Sequence, residues 1–192
     1  MAKISSISTI YMPTLYAGPN GAGKTTAAKT LLPENFNCNI FINADEIAAQ
    51  LNPENVQAAA FTAGRIMLQE IEKRLDRKNT FAIEITLATR SYLQLVKRAQ
   101  LNEYEVVLIF FHLPSVEMAK QRVAQRVLKG GHNIPDEVVE RRYLLGIKNL
   151  FGFIAIVDDW FVYQMDTTSP LLIAEGEFAK KRLFINLING NN

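Results

Sequence analysis

Gly18-Pro19-Asn20-Gly21-Ala22-Gly23-Lys24-Thr25 fills the pattern G-x-x-x-x-G-K-T. The chemistry of that spacing is anion binding. Glycines let successive backbone N–H groups turn inward and form a concave seat for phosphate oxygens. Lys24 can reach the β- and γ-phosphates of a nucleotide, and the Thr25 hydroxyl can take a place on Mg²⁺. Thr26 to Leu32 continue as a helix whose N-terminal dipole also favours phosphate. The expected ligands are therefore ATP and Mg²⁺, held by residues 18–26.

Phosphoryl transfer needs further parts: a carboxylate to take the acceptor hydroxyl's proton, and cations over the migrating group. Asp45 is the candidate base; the same residue, placed before an apolar-periodic helix, also reads as an N-cap. Glu84 interrupts an apolar strand, where a charge must face a pocket or pair with an arginine. Thr86 is a candidate substrate contact or a simple strand-end residue. Arg122 and Arg126 stand four apart on one helix face, and Arg141 and Arg142 follow beyond Gly130-Gly131. Arginines on both sides of such a hinge suit a lid of about residues 115–145 closing over a triphosphate. A solvated basic helix is the plain alternative. His112, His132 and the lone Cys38 have no partners that suggest chemistry and read as structural.

These groups must be brought together by the elements around them. Pro13-Thr14-Leu15-Tyr16-Ala17 is a short apolar strand feeding the phosphate loop, and the helix beyond the loop stops near Pro33. Residues 39–43 read as a second strand and 81–85 as a third. The run 106–111 is apolar throughout and suits a strand covered on both faces. Residues 160–163 and 171–174 read as late strands. Helices are expected from Asp45 to Leu51, over 54–77 with Val56, Ala60, Ala63, Met67, Ile71 and Leu75 inward, over 91–101, 116–129 and 136–150, and briefly near the C-terminus. Residues 1–8 read as a loose lead-in. Strands alternating with helices predict a three-layer α/β phosphate-loop NTPase fold, with a mainly parallel sheet of about five strands. Ligands then belong at the carboxyl ends of the strands, where the loop, Asp45 and Glu84 all fall.

The bulk properties narrow the class. At 192 residues, one domain is expected. A net charge of +2 argues against nucleic acid or a membrane as the main partner. A single cysteine cannot form an intramolecular disulfide, no apolar run spans a bilayer, and the N-terminus lacks a signal-peptide layout, so a cytoplasmic protein is expected. No Leu-Ser-Gly-Gly stretch and no Asn-Lys-x-Asp segment is present, which weakens a transport-type ATPase and a GTPase switch. A small-molecule phosphotransferase remains, with a nucleotide-gated binding module as the alternative.

The chain resembles the zeta toxin family of phosphate-loop kinases. The resemblance rests on Gly18 to Thr25, on Phe41 to Ala48 with Leu51-Asn52-Pro53, on Phe81 to Leu87 with Ser91-Tyr92-Leu93, on Arg122 to Val127, on Gly130 to Pro135 and on Arg141-Arg142-Tyr143. It covers residues 13–165. It implies ATP-dependent phosphorylation of a hydroxyl on a nucleotide sugar such as UDP-N-acetylglucosamine. By motif, Lys24 binds phosphate, Thr25 helps hold Mg²⁺, Asp45 is the general base, and Glu84 and Thr86 contact the acceptor. Arg126 and Arg142 are the catalytic candidates of the clamp, Arg122 and Arg141 its nucleotide-binding ones, with the choice inside each pair open. The family pattern has an arginine where Ala88 stands, and Arg90 is the substitute one turn on. The resemblance also implies an antitoxin protein as partner.

Overall fold

The computed structural model describes residues 13–35, 38–166 and 170–177. The expected lead-in at 1–8 and the last helix lie outside them. Six strands form one sheet: β1 (Pro13–Ala17), β2 (Phe41–Asn43), β3 (Phe81–Ile85), β4 (Val107–His112), β5 (Asp159–Gln164) and β6 (Leu171–Glu177). Their order is β2-β3-β1-β4-β5-β6. The first five run parallel, and β6 returns antiparallel to β5 with a register shift at Val162/Tyr163. This is the phosphate-loop NTPase-like α/β architecture, with one antiparallel edge strand added to the five parallel ones.

Side chains on successive strand residues point to opposite faces, and the core divides accordingly. Leu15, Ile83, Leu108, Phe110 and Trp160 point to one face, where they meet α3 (Val56–Asp76) and α4 (Ser91–Leu101) through Met67, Ile71, Leu75, Val96 and Ala99. Tyr16, Ala82, Ile109 and Phe111 point to the other, against α1 (Lys24–Asn35) and α5 (Val116–Leu128) through Ala28, Ala119 and Val123. Each large apolar side chain so buried contributes about 1.5–3 kcal/mol.

Helix α6 (Asp136–Ile154), the last among the described residues, joins both layers. Val139 packs with α5, whereas Leu150, Phe153 and Ile154 pack on the opposite face of the sheet. The helix therefore passes the carboxyl ends of the strands, and it runs unbroken through residue 145, where the expected lid ended. Gly146 allows this close passage: a Cβ there would stand 2.6 Å from the Thr86 carbonyl oxygen. Three residues later, buried Asn149 donates from Nδ2 to the Leu87 carbonyl at 2.8 Å. Leu87 is fully buried with φ +55, a left-handed conformation unfavourable for a branched side chain. The turn after β3 is thus fixed by α6.

Three local expectations are corrected. Helix α1 extends past Pro33 to Asn35. In α3 the inward residue of the first turns is Ala59, while Ala60 is exposed, because α3 begins at Val56 and turns its small-residue face onto α2 (Ala44–Leu51). The cap of α2 is Asn43, whose side chain accepts the Asp45 N–H at 2.8 Å, so Asp45 is not the N-cap.

Candidate active site

The phosphate loop connects β1 to α1 and takes its shape from three glycines with positive φ: Gly18 at +144, Gly21 at +82 and Gly23 at +79. Two of them also permit close packing. A Cβ on Gly18 would lie 2.4 Å from the Phe111 carbonyl oxygen, and one on Gly21 would lie 2.9 Å from that of Ala119. The loop is thereby wedged between β4 and α5, with Arg122 beside Gly21. Lys24 is only 5% exposed. Its Nζ donates to the Pro19 carbonyl at 2.9 Å and stands 3.5 Å from Glu84 Oε1. Burial pulls the Lys24 ammonium below the usual lysine range, while the Glu84 and Asp45 carboxylates oppose that shift.

Glu84 comes from the adjacent strand β3, and its partners differ from the arginine considered from the sequence. Besides Lys24, its Oε2 accepts from the Thr25 hydroxyl at 2.6 Å and from Asn43 Nδ2 at 2.8 Å. Asn43 therefore caps α2 and orients Glu84 at once. It carries a recognisable signal, an Asn directly before a helix, although the sequence reading passed over it.

A cleft opens along the carboxyl ends of β1, β2 and β3, with two lobes that share Asn20, Lys24, Asn43, Asp45 and Glu84. The first lobe, about 380 Å³, adds Gly21, Gly23, Thr25, Thr26, Arg122, Arg126 and His132. The second, about 340 Å³, adds Met67, Thr86, Ala88, Thr89, Tyr92, Arg141, Arg142 and Leu145. Asp45, 44% exposed, stands where they meet.

The arginines divide between the lobes. Arg126 is held by the turn after α5: its Nη2 donates to the His132 carbonyl at 3.2 Å, and its stem lies against Gly131 so closely that a Cβ there would approach it to 2.7 Å. Arg126 Nε is buried without a hydrogen-bond partner. Arg141 and Arg142 both line the second lobe, and Arg142 also reaches back to the loop, Nη1 to Asn20 Oδ1 at 3.4 Å. Arg90, N-terminal to α4, is exposed and lines neither lobe. His132, read as structural from the sequence, faces the cleft with Nε2 3.9 Å from Asp45 Oδ2, an attractive contact whenever the imidazole is protonated. His112 stays at the end of β4, where burial lowers its pKa, and Cys38 is buried with its thiol on the Ile40 carbonyl.

For a divalent cation the donors here are hydroxyl, amide and carboxylate oxygens, as a hard ion requires. Among the described residues no group of three or more His, Cys, Asp or Glu could hold a metal. Mg²⁺ takes few protein ligands and completes its shell with phosphate oxygens and water; were it bound here, Thr25 and Glu84, 2.6 Å apart, would be the residues to hold it. No helix among the described residues is long and apolar enough to cross a membrane.

Comparisons with known proteins agree with this architecture. An uncharacterized protein of Haemophilus influenzae is 34% identical over 131 residues, 67% of this chain and 89% of that protein. Among solved structures, a chain of the PezAT chromosomal toxin–antitoxin system of Streptococcus pneumoniae superposes with TM-score 0.69 at 18% identity, covering 100% of this chain and 83% of that one. The AvrRxo1-ORF1:-ORF2 complex with ATP gives 0.62 at 17% identity, over 92% of this chain and 63% of that one. These structural likenesses establish the fold. A family model described as an AAA domain matches residues 14–143, from β1 through the phosphate loop and α5 to the Arg141-Arg142 pair, and the chain belongs to that AAA domain family.

Proposed function

We propose that the protein is an ATP-dependent phosphotransferase acting on a hydroxyl of a small molecule, a nucleotide sugar such as UDP-N-acetylglucosamine being the acceptor the family resemblance implies. The reading is carried by one observation: a carboxylate, Asp45, stands at the junction of a phosphate-loop lobe and a second lobe of similar volume. A nucleotidase needs only the first. ATP occupies the lobe of Gly21, Lys24 and Arg126, and the acceptor occupies that of Thr86 and Tyr92.

The acceptor oxygen attacks the γ-phosphorus in line while the bond to the β-bridging oxygen breaks and ADP leaves. Asp45 takes the hydroxyl proton, Lys24 and Arg126 carry the charge on the transferred oxygens, and backbone N–H groups hold the remainder. Mg²⁺, when bound, neutralises part of the charge on the phosphate oxygens. Lid residues on α5 and α6 exclude water and so limit futile hydrolysis. The antitoxin implied by the resemblance would cover the first lobe and block ATP entry.

Asp45→Asn tests the reading. Acceptor-dependent ADP release falls by about 10³-fold or more, while calorimetry shows ATP affinity within a few-fold of wild type. Undiminished turnover in the variant would remove Asp45 from the mechanism. ATP binding without ADP release, across a metabolite pool screened for an added phosphate by mass spectrometry, would favour the nucleotide-gated binding module instead.

A further inference from the structure

The second lobe has a chemical character of its own. One wall is apolar and aromatic: Met67, Ile85, Leu145 and the ring of Tyr92. Among the described residues the Tyr92 hydroxyl has only the Met67 sulfur, at 3.7 Å, as its hydrogen-bond partner, and burial raises its pKa. A thioether is a weak acceptor, so this phenol retains donor capacity toward a ligand. The same lobe is lined by Arg141 and Arg142, one turn of α6 before Leu145. Among the described residues neither has a carboxylate within 4.0 Å, whereas Lys120, just across from α6 on α5, is tied to Glu140 at 2.7 Å. Two adjacent guanidinium groups left unpaired at the mouth of a cavity form a site of positive potential. Arginine presents a fork that matches phosphate or carboxylate oxygens.

From this juxtaposition we infer that Arg141, assisted by Arg142, reads an oxyanion on the acceptor, whose flat or apolar portion lies against Tyr92. The acceptor class is therefore an anionic hydroxyl compound, a phosphate ester or a carboxylate, and a neutral polyol is discriminated against. The inference rests on the phosphotransferase reading and reassigns Arg141 from the nucleotide to the acceptor. Arg142 bridges the two lobes through Asn20, so Arg141 is the residue that separates acceptor recognition from ATP binding. It is exposed, and its replacement leaves no buried group unpaired.

The test uses the whole chain loaded with Mg²⁺ and a non-hydrolysable ATP analogue. It is titrated calorimetrically with three probes: neutral N-acetylglucosamine, the carboxylate glucuronate, and the phosphate-bearing UDP-N-acetylglucosamine. At least one charged probe binds tenfold or more tighter than the neutral one, and which of them does so distinguishes carboxylate from phosphate. Arg141→Gln weakens that binding by about tenfold while the affinity for the ATP analogue stays within twofold. Equal binding of all three probes overturns the inference, as does a variant that loses the ATP analogue and keeps the charged probe. The two levels fail differently. Charged-probe binding without ADP release from ATP defeats phosphoryl transfer and leaves the anion site standing, and transfer to neutral and charged acceptors with equal KM does the reverse.

Discussion

The two lobes of the cleft are built on opposite plans. The phosphate lobe centres on the backbone of one short loop, residues 18–25, whose course three positive-φ glycines set. The second lobe is made of side chains from β3, α3, α4 and α6, which meet only because the fold is complete. A backbone site is local, tolerant of its surroundings and confined to one ligand chemistry. A side-chain site is distributed and can change specificity one residue at a time. The difference explains how a common nucleotide lobe can serve many acceptors.

The strongest way to break this contrast is to put a methyl group at a glycine that packs beside each lobe, Gly18 for the first and Gly146 for the second. Gly18→Ala imposes a side chain at φ +144, with its Cβ 2.4 Å from backbone of β4. Neither side can yield without moving the loop, so stability falls by about 2–4 kcal/mol and ATP affinity by about 10²-fold or more. Gly146→Ala brings a methyl group to 2.6 Å from the Thr86 carbonyl and drives α6 away from the turn after β3. A displacement on the order of 1 Å there raises the acceptor KM by about tenfold or more, while ATP affinity stays within twofold. Thermal unfolding and separate calorimetric titrations read both variants. Loss of ATP affinity in Gly146→Ala would show that the lobes are not separable.

A smaller effect sharpens the comparison inside the lid. Arg126 belongs to the first lobe and Arg141 to the second, although α5 and α6 are neighbours. Arg126→Gln lowers ATP affinity by about tenfold and leaves acceptor binding to the analogue-loaded protein unchanged, the mirror image of Arg141→Gln. A drop in acceptor affinity alone would place Arg126 on the wrong side of the division.

The contrast also accounts for what the sequence disclosed. Five parallel strands, their helices and the loop from Gly18 to Thr25 were legible because each depends on near neighbours: a period of two or of 3.6, or a fixed spacing of glycines. The antiparallel return of β6 and the passage of α6 over the strand ends depend on tertiary packing and left no local pattern. Hence Gly146 and Asn149, which fix the turn beside the second lobe, went unread, and Tyr92 entered only as part of the resemblance, without a role. Asp45 looked like a cap because its residue type fits one, yet Asn43 precedes it and does that work through Oδ1. Glu84 was legible as an anomaly, a carboxylate in an apolar strand, but its partner was misjudged. Lys24 lies 60 positions away in sequence, and only the β1–β3 pairing brings the two together. His132 lay inside the Gly130–Pro135 stretch that carries the resemblance but was read as structural, since only the turn after α5 brings it to 3.9 Å from Asp45.

The smallest expected effect concerns stability and pH. Burial lowers the folded-state pKa of Lys24 below its ordinary value of 10.5. Between those two values the unfolded chain binds more protons than the folded one, so this group's contribution to stability rises with pH across that window and levels off above it. Below the window the folded protein carries the full penalty of a buried ammonium, offset by Glu84. Tyr16, Tyr143 and Tyr163, all with raised pKa values, act in the opposite sense at alkaline pH and obscure the trend in a single curve. The difference in Tm between wild type and Lys24→Met cancels them. That difference shifts toward wild type as pH rises to 10.5 in the free protein, and the slope disappears when wild type is saturated with ATP and Mg²⁺, because the phosphates restore the charged lysine's favourable surroundings. A flat difference curve would mean that the Glu84 carboxylate already compensates the buried charge, leaving the phosphate lobe no less stable empty than filled.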